Sequence, residues 1–412
     1  MSAASAPLDF KLDSPEVRDD PFPLLDRLRK EDPIHYVEEM DLWLVSRYED
    51  IFNLYTEPRL TGDRRKWTHY VQPAEGSFFR WVDDYGLMAL DRKTHTLQRK
   101  LIASRLTPRG VRVLDSKVRE VVDHFARPLH GRTGVVDIMK EFTTPVPIVV
   151  VGFLTGVTAP GVDDTTFSEL AQETIRGFFG FVSEEVRERS ERNYLQLSEW
   201  VRETIRQRRK EPTDDLISHL ITAKAGEYRL DEDGIVAQVS AMLAAGSETT
   251  STGGMKCIKT LLEHPDVLER LRKDRSLIPA AVNEVLRFTF GGIVGTQRFA
   301  LEEFEYRGRT FRKGQLVMLS SAGASHDPEV YDDPDSFDID RDPKGLWSLT
   351  FGLGPHYCPG AHLARCELGN IVDAALDFLP PEARVLEDQI ETETLGLFDR
   401  AKNCPIDFGN GN

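Results

Sequence analysis

The chain has 412 residues, 40% of them hydrophobic, and a formal net charge of −16 at pH 7. This acidic balance argues against nucleic acid as a partner, because a protein that binds a phosphate backbone needs a basic face. The four cysteines follow no disulfide framework, which fits a reducing cytoplasm. Neither a signal peptide nor a stretch long enough to span a bilayer is recognisable. We therefore expect a cytoplasmic protein and, because no segment has the composition of a linker, one domain over residues 1–412.

Short strands are predicted near both ends of the chain. Two strands and a helix are expected early, at Ile34–Val37, Leu42–Val45 and Tyr48–Tyr55. A glycine-punctuated meander is expected late, at Phe304–Tyr306, Thr310–Arg312 and Leu316–Leu319. We expect this meander to pair with the first two strands and the chain between them to be mostly helical.

An irregular segment is predicted at Arg59–Leu90, where glycines and a proline are mixed with aromatic side chains. Long irregular segments in compact domains are usually lids or binding loops. A helix follows at Asp91–Arg99, on which His95 and Arg99 are four residues apart. Residues at this spacing share one helix face, so both side chains can reach the same anionic group.

Basic residues cluster after this point in an otherwise acidic chain. The segment from Asp91 to Arg112 contains one acidic residue, Asp91, and seven basic residues: Arg92, Lys93, Arg99, Lys100, Arg105, Arg109 and Arg112. A solvated helix face explains such a cluster as well as a docking surface does.

Three helices are predicted in the middle of the chain. Two of them cover Phe167–Val182 and Ser183–Lys210, with aromatic residues near their junction. A longer third helix begins near Asp231 or Asp233 and ends before Pro265.

The centre of the long helix contains Gly246, followed by Glu248 and Thr249. Glycine inside a helix costs about 1 kcal/mol relative to alanine, so its presence needs a reason. Close packing against another helix is one explanation. A second is that the Thr249 hydroxyl bonds back to a carbonyl of the preceding turn and opens the helix for a ligand.

The stretch from Phe351 to Gly360 is organised around Cys358. Apolar residues at helical spacing begin at Ala361, so the cysteine lies at a helix N-terminus, with Pro359 as the expected first helical residue. The helix dipole there favours thiolate, the form that binds metal. A lone cysteine among glycines is usually an inert buried thiol. A zinc site of His356, Cys358 and His362 is a competing interpretation, but no second cysteine lies nearby at Cys-x-x-Cys spacing.

The pattern Phe-x-x-Gly-x-x-x-Cys-x-Gly of this stretch resembles the haem-binding signature of the cytochrome P450 family. Ala245–Thr249 is similar to the family's oxygen-activation motif Ala-Gly-x-Glu-Thr, and Asp91–Arg99 to its Asp-x-x-x-His-x-x-x-Arg helix, although Arg92-Lys93 stands where relatives often have Pro-Pro. Glu284 and Arg287 match its Glu-x-x-Arg. Because these motifs occur in the family's order, the resemblance covers the whole chain.

The resemblance implies a mainly α fold, a single helical domain with a small β-region, and haem b (iron protoporphyrin IX) between the long distal helix and the cysteine-ligand loop. It makes Cys358 the axial iron ligand, Glu248 and Thr249 the catalytic pair, and Arg341 the third member of a structural set with Glu284 and Arg287. The propionate ligands it implies are His95, Arg99, Arg298 and His356. The substrate contacts it implies are Ala241, Ala244, Ala245, Val294, Leu397 and Phe398.

The activity implied is monooxygenation, in which O₂ and two electrons hydroxylate a C–H bond or epoxidise a double bond of a mainly apolar molecule. Electrons are expected from a separate ferredoxin or flavodoxin with its NAD(P)H reductase, and the protein is expected to be a monomer. The substrate stays open among terpenoid, steroid, polyketide and aromatic compounds. A peroxide-driven peroxygenase and a non-catalytic haem gas sensor are the alternatives, and neither requires the Glu248–Thr249 pair.

Overall fold

The computed structural model describes residues 11–409 apart from 13, 91, 178–181, 290–294, 343–347, 396 and 397. Helices dominate the described residues, as predicted, and none of these helices combines the length and apolar character needed to cross a membrane. The helices are α1 Pro15–Asp19, α2 Phe22–Glu31, α3 Tyr48–Tyr55, α4 Phe78–Tyr85, α5 Arg92–Ile102, α6 Pro108–Ala126, α7 Pro145–Thr155, α8 Asp164–Arg176, α9 Glu184–Lys210, α10 Leu216–Thr222, α11 Glu232–Glu263, α12 Pro265–Lys273, α13 Ile278–Thr289, α14 Ser321–Ser325 and α15 Ala361–Phe378. The strands are β1 Ile34–Val37, β2 Leu42–Val45, β3 Leu60–Thr61, β4 Val135–Asp137, β5 Thr296–Ala300, β6 Phe304–Tyr306, β7 Arg309–Phe311, β8 Leu316–Leu319, β9 Arg384–Val385, β10 Thr392–Leu395, β11 Phe398–Ala401 and β12 Pro405–Asp407.

The chain divides into two compact units. The first comprises Met1–Gln72, Leu286–Cys358 and Thr394–Arg400. The second comprises Pro73–Val285, Pro359–Glu393 and Ala401–Asn412. That residues 1–412 form one domain stays a prediction.

The first unit is built on a five-stranded sheet with the order β1-β2-β8-β5-β3. Strand β2 is antiparallel to β1 and parallel to β8, with Leu42 opposite Leu316 and Val45 opposite Leu319. Both strands are buried on both faces, because alternate residues enter two different apolar clusters. The predicted pairing of the meander with the first strands is therefore confirmed for β8. Within the described part of the chain, strands β6 and β7 instead pair with each other as a separate two-stranded sheet.

The second unit is helical and is centred on α11, which packs against α7, α8, α9 and α15. The predicted start of this helix is confirmed, because the Asp231 carboxylate accepts a hydrogen bond of 2.8 Å from the N–H of Gly234. A β-carbon at Gly246 would lie 3.0 Å from a methyl carbon of Val151 on α7. Close packing of two helices is thus one reason for the glycine.

The prediction of an irregular Arg59–Leu90 segment is wrong for α4. The Ser77 hydroxyl caps this helix by accepting a 3.2 Å hydrogen bond from the N–H of Arg80. Phe78 and Trp81 lie one turn apart and pack on Tyr194 of α9, with ring centroids 4.6 and 5.8 Å from it. The helical spacing of these aromatics was present in the sequence but was outweighed by the surrounding glycines and proline.

The two predicted helices in the middle of the chain are present as α8 and α9. Helix α8 ends at Arg176, earlier than predicted, and α9 extends from Glu184 to Lys210 as expected. The aromatic residues at the predicted junction, 178–181, lie outside the described residues.

Candidate active site

The Cys358 loop is closed by backbone hydrogen bonds within the first unit. The N–H of Cys358 donates to the carbonyl of Phe351 over 2.9 Å, and the N–H of Tyr357 donates to the carbonyl of Gly354 over 3.0 Å. Gly352 and Gly354 have φ angles of 72° and 69°, which glycine adopts without steric cost. The result is a tight loop that presents a half-buried cysteine at its end.

The helix after the cysteine begins slightly later than predicted. Helix α15 starts at Ala361 with Gly360 as its N-cap, so Pro359 lies in the preceding turn and is not the first helical residue. The N–H of Ala364 donates to the carbonyl of Gly360 over 2.8 Å, which marks the first turn of the helix. Cys358 therefore precedes the helix by a short turn.

One face of α11 carries the small residues Ala241 and Ala245 and the hydroxyl of Thr249. Ala241, Ala245 and Thr249 are spaced by four residues; the first and last are exposed and Ala245 is half-buried. The Thr249 hydroxyl donates a 2.8 Å hydrogen bond to the carbonyl of Ala245. This is the back-bond that the sequence suggested. Glu248 is buried at 7% exposure, and Ala244 is buried at 2%.

His95 and Arg99 lie on α5 in the second unit. His95 is 2% exposed, and Arg99 is half-buried. Burial, together with the positive charge of Arg99, lowers the pKa of His95. A neutral imidazole is the form favoured at neutral pH, and it can donate one hydrogen bond to an anion.

Arg298 on β5 is a buried cation in the first unit. It is 2% exposed, and desolvation lowers its pKa. Its Nη1 donates to the carbonyl of Gln297 over 2.8 Å, and its guanidinium carbon lies 5.4 Å from the centre of the Tyr55 ring. Among the described residues, buried Nη2 has no hydrogen-bond partner. A buried guanidinium with a spare donor is suited to an anionic group of a ligand. His356 is half-buried in the Cys358 loop.

Two arginines hold the backbone that leads to the Cys358 loop. Arg287 donates to the carbonyls of Ser325 at 2.8 Å, Pro334 at 2.7 Å and Ser336 at 3.0 Å. Arg341 donates to the same Ser336 carbonyl at 2.9 Å. Glu284 is buried one turn before Arg287 on α13. That Glu284, Arg287 and Arg341 act together as a structural set stays a prediction.

Three of the predicted substrate contacts have side chains outside the described part of the structure. Val294 and Leu397 lie outside the described residues. Phe398 is the first residue of β11, but its side chain lies outside the described part of the structure. The roles of all three stay predictions.

Sequence reasoning missed an ion network that joins α8, α9 and β10. Arg189 bridges Glu173 at 2.7 Å and Glu393 at 3.4 Å, and Arg176 bridges Glu393 at 3.1 Å and also contacts Glu173. Only the spacing of Glu173 and Arg176 was visible locally, because the other partners come from distant segments.

A family model described as Cytochrome P450 matches residues 167–377. The Epothilone C/D epoxidase of Sorangium cellulosum is 31% identical over 374 residues, covering 89% of this chain and 88% of that protein. Polyketide biosynthesis cytochrome P450 PksS of Bacillus subtilis is 29% identical over 387 residues, covering 91% and 93%. The crystal structure of epothilone D-bound cytochrome P450epoK matches with a TM-score of 0.86 at 28% identity, covering 98% of this chain and 99% of that one.

The fold and these matches define the class: the chain belongs to the cytochrome P450 family. It is a P450 monooxygenase, and thus an oxidoreductase whose cofactor is a haem-thiolate group. The mainly helical fold with small sheets that the sequence predicted is confirmed.

Proposed function

We propose that this protein hydroxylates or epoxidises a mainly apolar small molecule, and that its cofactor is haem b. The observation that carries the proposal is the face of α11 on which Thr249 is the hydroxyl among small apolar residues, next to Glu248. In this proposal Cys358 ligates the iron. When bound, haem supplies the activation of O₂.

The propionates of haem require cationic or hydrogen-bonding partners. Arg298 offers a buried guanidinium with an Nη2 that no described residue accepts from, and His95 with Arg99 offers a second donor pair. His356 completes the proposed set from the Cys358 loop. Donors of this kind suit carboxylates, which supports haem b over a cofactor without carboxylates.

The Thr249 hydroxyl can order a water molecule. Its proton is committed to the carbonyl of Ala245, so its oxygen lone pairs are left to accept a hydrogen bond from water. Glu248, the preceding residue, is proposed as the group that takes up and releases protons. An exposed hydroxyl beside a carboxyl group provides a route for proton delivery that a gas carrier would not need.

We propose a polyketide as the substrate class. The support is that two relatives covering most of the chain are named for epothilone epoxidation and for polyketide biosynthesis. The alanines on the exposed face of α11 leave room for a large apolar ligand.

A ferredoxin is the proposed electron donor. Lys100, Arg109 and Arg112 are exposed on α5 and α6 and can attract an acidic partner. Arg105, by contrast, forms a 2.6 Å ion pair with Asp214, so the predicted cluster is smaller than the sequence suggested. A flavodoxin is the alternative donor, and it too would need an acidic surface to bind these basic residues.

The proposed function is tested by product formation from O₂, NAD(P)H, a ferredoxin and its reductase, compared with peroxide alone. The reduced protein with carbon monoxide should show the long-wavelength Soret band of thiolate-ligated haem, and Cys358→His should lose it. Product formed with peroxide but not with O₂ and electrons would refute the proposal in favour of a peroxygenase, and no product under either condition would refute it in favour of a gas sensor.

The role of Thr249 is tested by a matched pair of variants. Thr249→Val keeps the shape of the side chain but removes the hydroxyl, whereas Thr249→Ser keeps the hydroxyl. We expect Thr249→Val to consume NAD(P)H while product per electron pair falls and hydrogen peroxide rises. Thr249→Ser should stay coupled. Full coupling in Thr249→Val would contradict the assignment.

A further inference from the structure

Tyr55 contacts two parts of the chain that are distant from it in sequence. It is the last residue of α3 and is only 6% exposed. Its hydroxyl lies 2.8 Å from the hydroxyl of Thr296 on β5, and its ring lies beneath the guanidinium of Arg298 on the same strand. One side chain therefore contacts β5 at two points, two residues apart.

The same ring lies against the start of the Cys358 loop. A β-carbon built at Gly352 would be 3.8 Å from both Cε1 and the hydroxyl oxygen of Tyr55, which is ordinary van der Waals distance. Gly352 directly follows Phe351, whose carbonyl accepts the hydrogen bond from Cys358. Tyr55 thus packs between β5 and the loop that carries the cysteine.

The conformation of Arg298 needs such a support. Its side chain is long and flexible, and its Nη1 bond to Gln297 holds only one of five N–H donors. Burial lowers the pKa of Arg298, and the aromatic group against its guanidinium is the ring of Tyr55. The face of an aromatic ring attracts a guanidinium, most strongly where water is excluded. The Tyr55 ring is therefore what holds this buried cation in one orientation.

We propose that Tyr55 is a positioning residue that orients Arg298 to bind a carboxylate of the haem and ties that interaction to the Cys358 loop. The proposal rests on the proposed function, because it requires Arg298 to bind a haem propionate. It adds a residue to the cofactor site that lies far outside the motifs of the sequence.

The test uses the haem-loaded protein and two readouts, the rate of haem transfer to excess apomyoglobin and the midpoint potential of the iron. Tyr55→Leu removes the ring, and we expect haem transfer to become about tenfold faster and the potential to shift. Tyr55→Phe keeps the ring face and should stay within about twofold of the wild type. Tyr55→Met is the second variant should Tyr55→Leu fail to fold.

The matched control is Tyr48→Leu in the same helix. Tyr48 is also buried, at 7% exposure, but its ring packs on Phe52 and Tyr331, with centroids 6.1 and 6.4 Å away. It should reduce thermal stability to a similar degree while leaving the potential unchanged. Equal potentials and equal haem transfer rates in the Tyr48 and Tyr55 variants would overturn the proposal.

A double-variant cycle separates this proposal from the one on which it rests. If Tyr55 acts through Arg298, Tyr55→Leu should add nothing to the faster haem transfer of Arg298→Leu. Additive effects would overturn the role of Tyr55 and leave Arg298 as a propionate ligand. Wild-type haem transfer and potential in Arg298→Leu would overturn the propionate assignment itself, and the role of Tyr55 with it.

Discussion

Glu367 on α15 is a carboxyl group buried without full hydrogen bonding. It is 1% exposed, and its Oε2 has no hydrogen-bond partner among the described residues. Burial raises the pKa of Glu367 well above its usual value. We predict that Glu367→Gln, which keeps the size of the side chain and removes the titration, stabilises the protein at neutral and alkaline pH.

The direction of this stability change follows from the number of protons that Glu367 binds in the folded and unfolded states. An acid whose pKa is higher in the folded state binds more protons when folded, so its contribution to stability is present at low pH and is lost as the pH rises through the folded pKa. Glutamine is neutral throughout. The stability difference between variant and wild type should therefore be close to zero near pH 4.5, the usual value for a glutamate, and should grow with pH. Both side chains are buried and polar, so the gain at alkaline pH comes from the ionisation that only Glu367 undergoes, and each pKa unit of difference between the folded and unfolded states adds about 1.4 kcal/mol to it.

The assay is urea unfolding of the haem-loaded protein, followed by circular dichroism at several pH values. Glu188→Gln is the control, because Glu188 is 63% exposed and its ion pair with Arg192 is long, at 3.9 Å. The free energy of unfolding of this variant should therefore differ from the wild type by less than about 0.5 kcal/mol. If Glu367→Gln destabilises the protein at pH 8, or if its effect does not depend on pH, the carboxylate is paired and the reasoning is wrong.

Three other perturbations test the remaining contacts. Arg189→Gln breaks two bridges of the ion network of α8, α9 and β10, and we expect the free energy of unfolding to fall by about 1 kcal/mol in urea unfolding at low salt, with the difference reduced at high salt; an unchanged value at low salt would contradict this. Arg287→Lys cannot reach all three carbonyls, so it should lose about 3 kcal/mol of stability and yield little haem-containing protein, measured as the ratio of haem to polypeptide. Lys100→Glu with Arg109→Glu should slow reduction by ferredoxin about two- to tenfold at low ionic strength, whereas Arg27→Glu should not; no change would leave the basic cluster as a solvated helix face.

The sequence by itself determined the elements whose signals are local. Strands β1 and β2 and helix α3 begin and end where alternation and helical spacing placed them, and α11 begins at its predicted Asp231 cap. The Cys358 motif pointed to the family that the comparisons confirm. These predictions agree with the structure because hydrophobic periodicity, helix capping and turn preferences depend on residues that are only a few positions apart.

Only the tertiary structure decided which distant side chains meet. Tyr55 and Arg298 belong to α3 and β5, and no periodicity in either segment indicates that the ring lies beneath the guanidinium. The same holds for Arg105, whose charge is paired by Asp214, and for the partners that α9 and β10 bring to the ion network. Contacts of this kind depend on how whole elements pack and on the register of the sheet, and they are therefore not encoded in any short stretch of the chain.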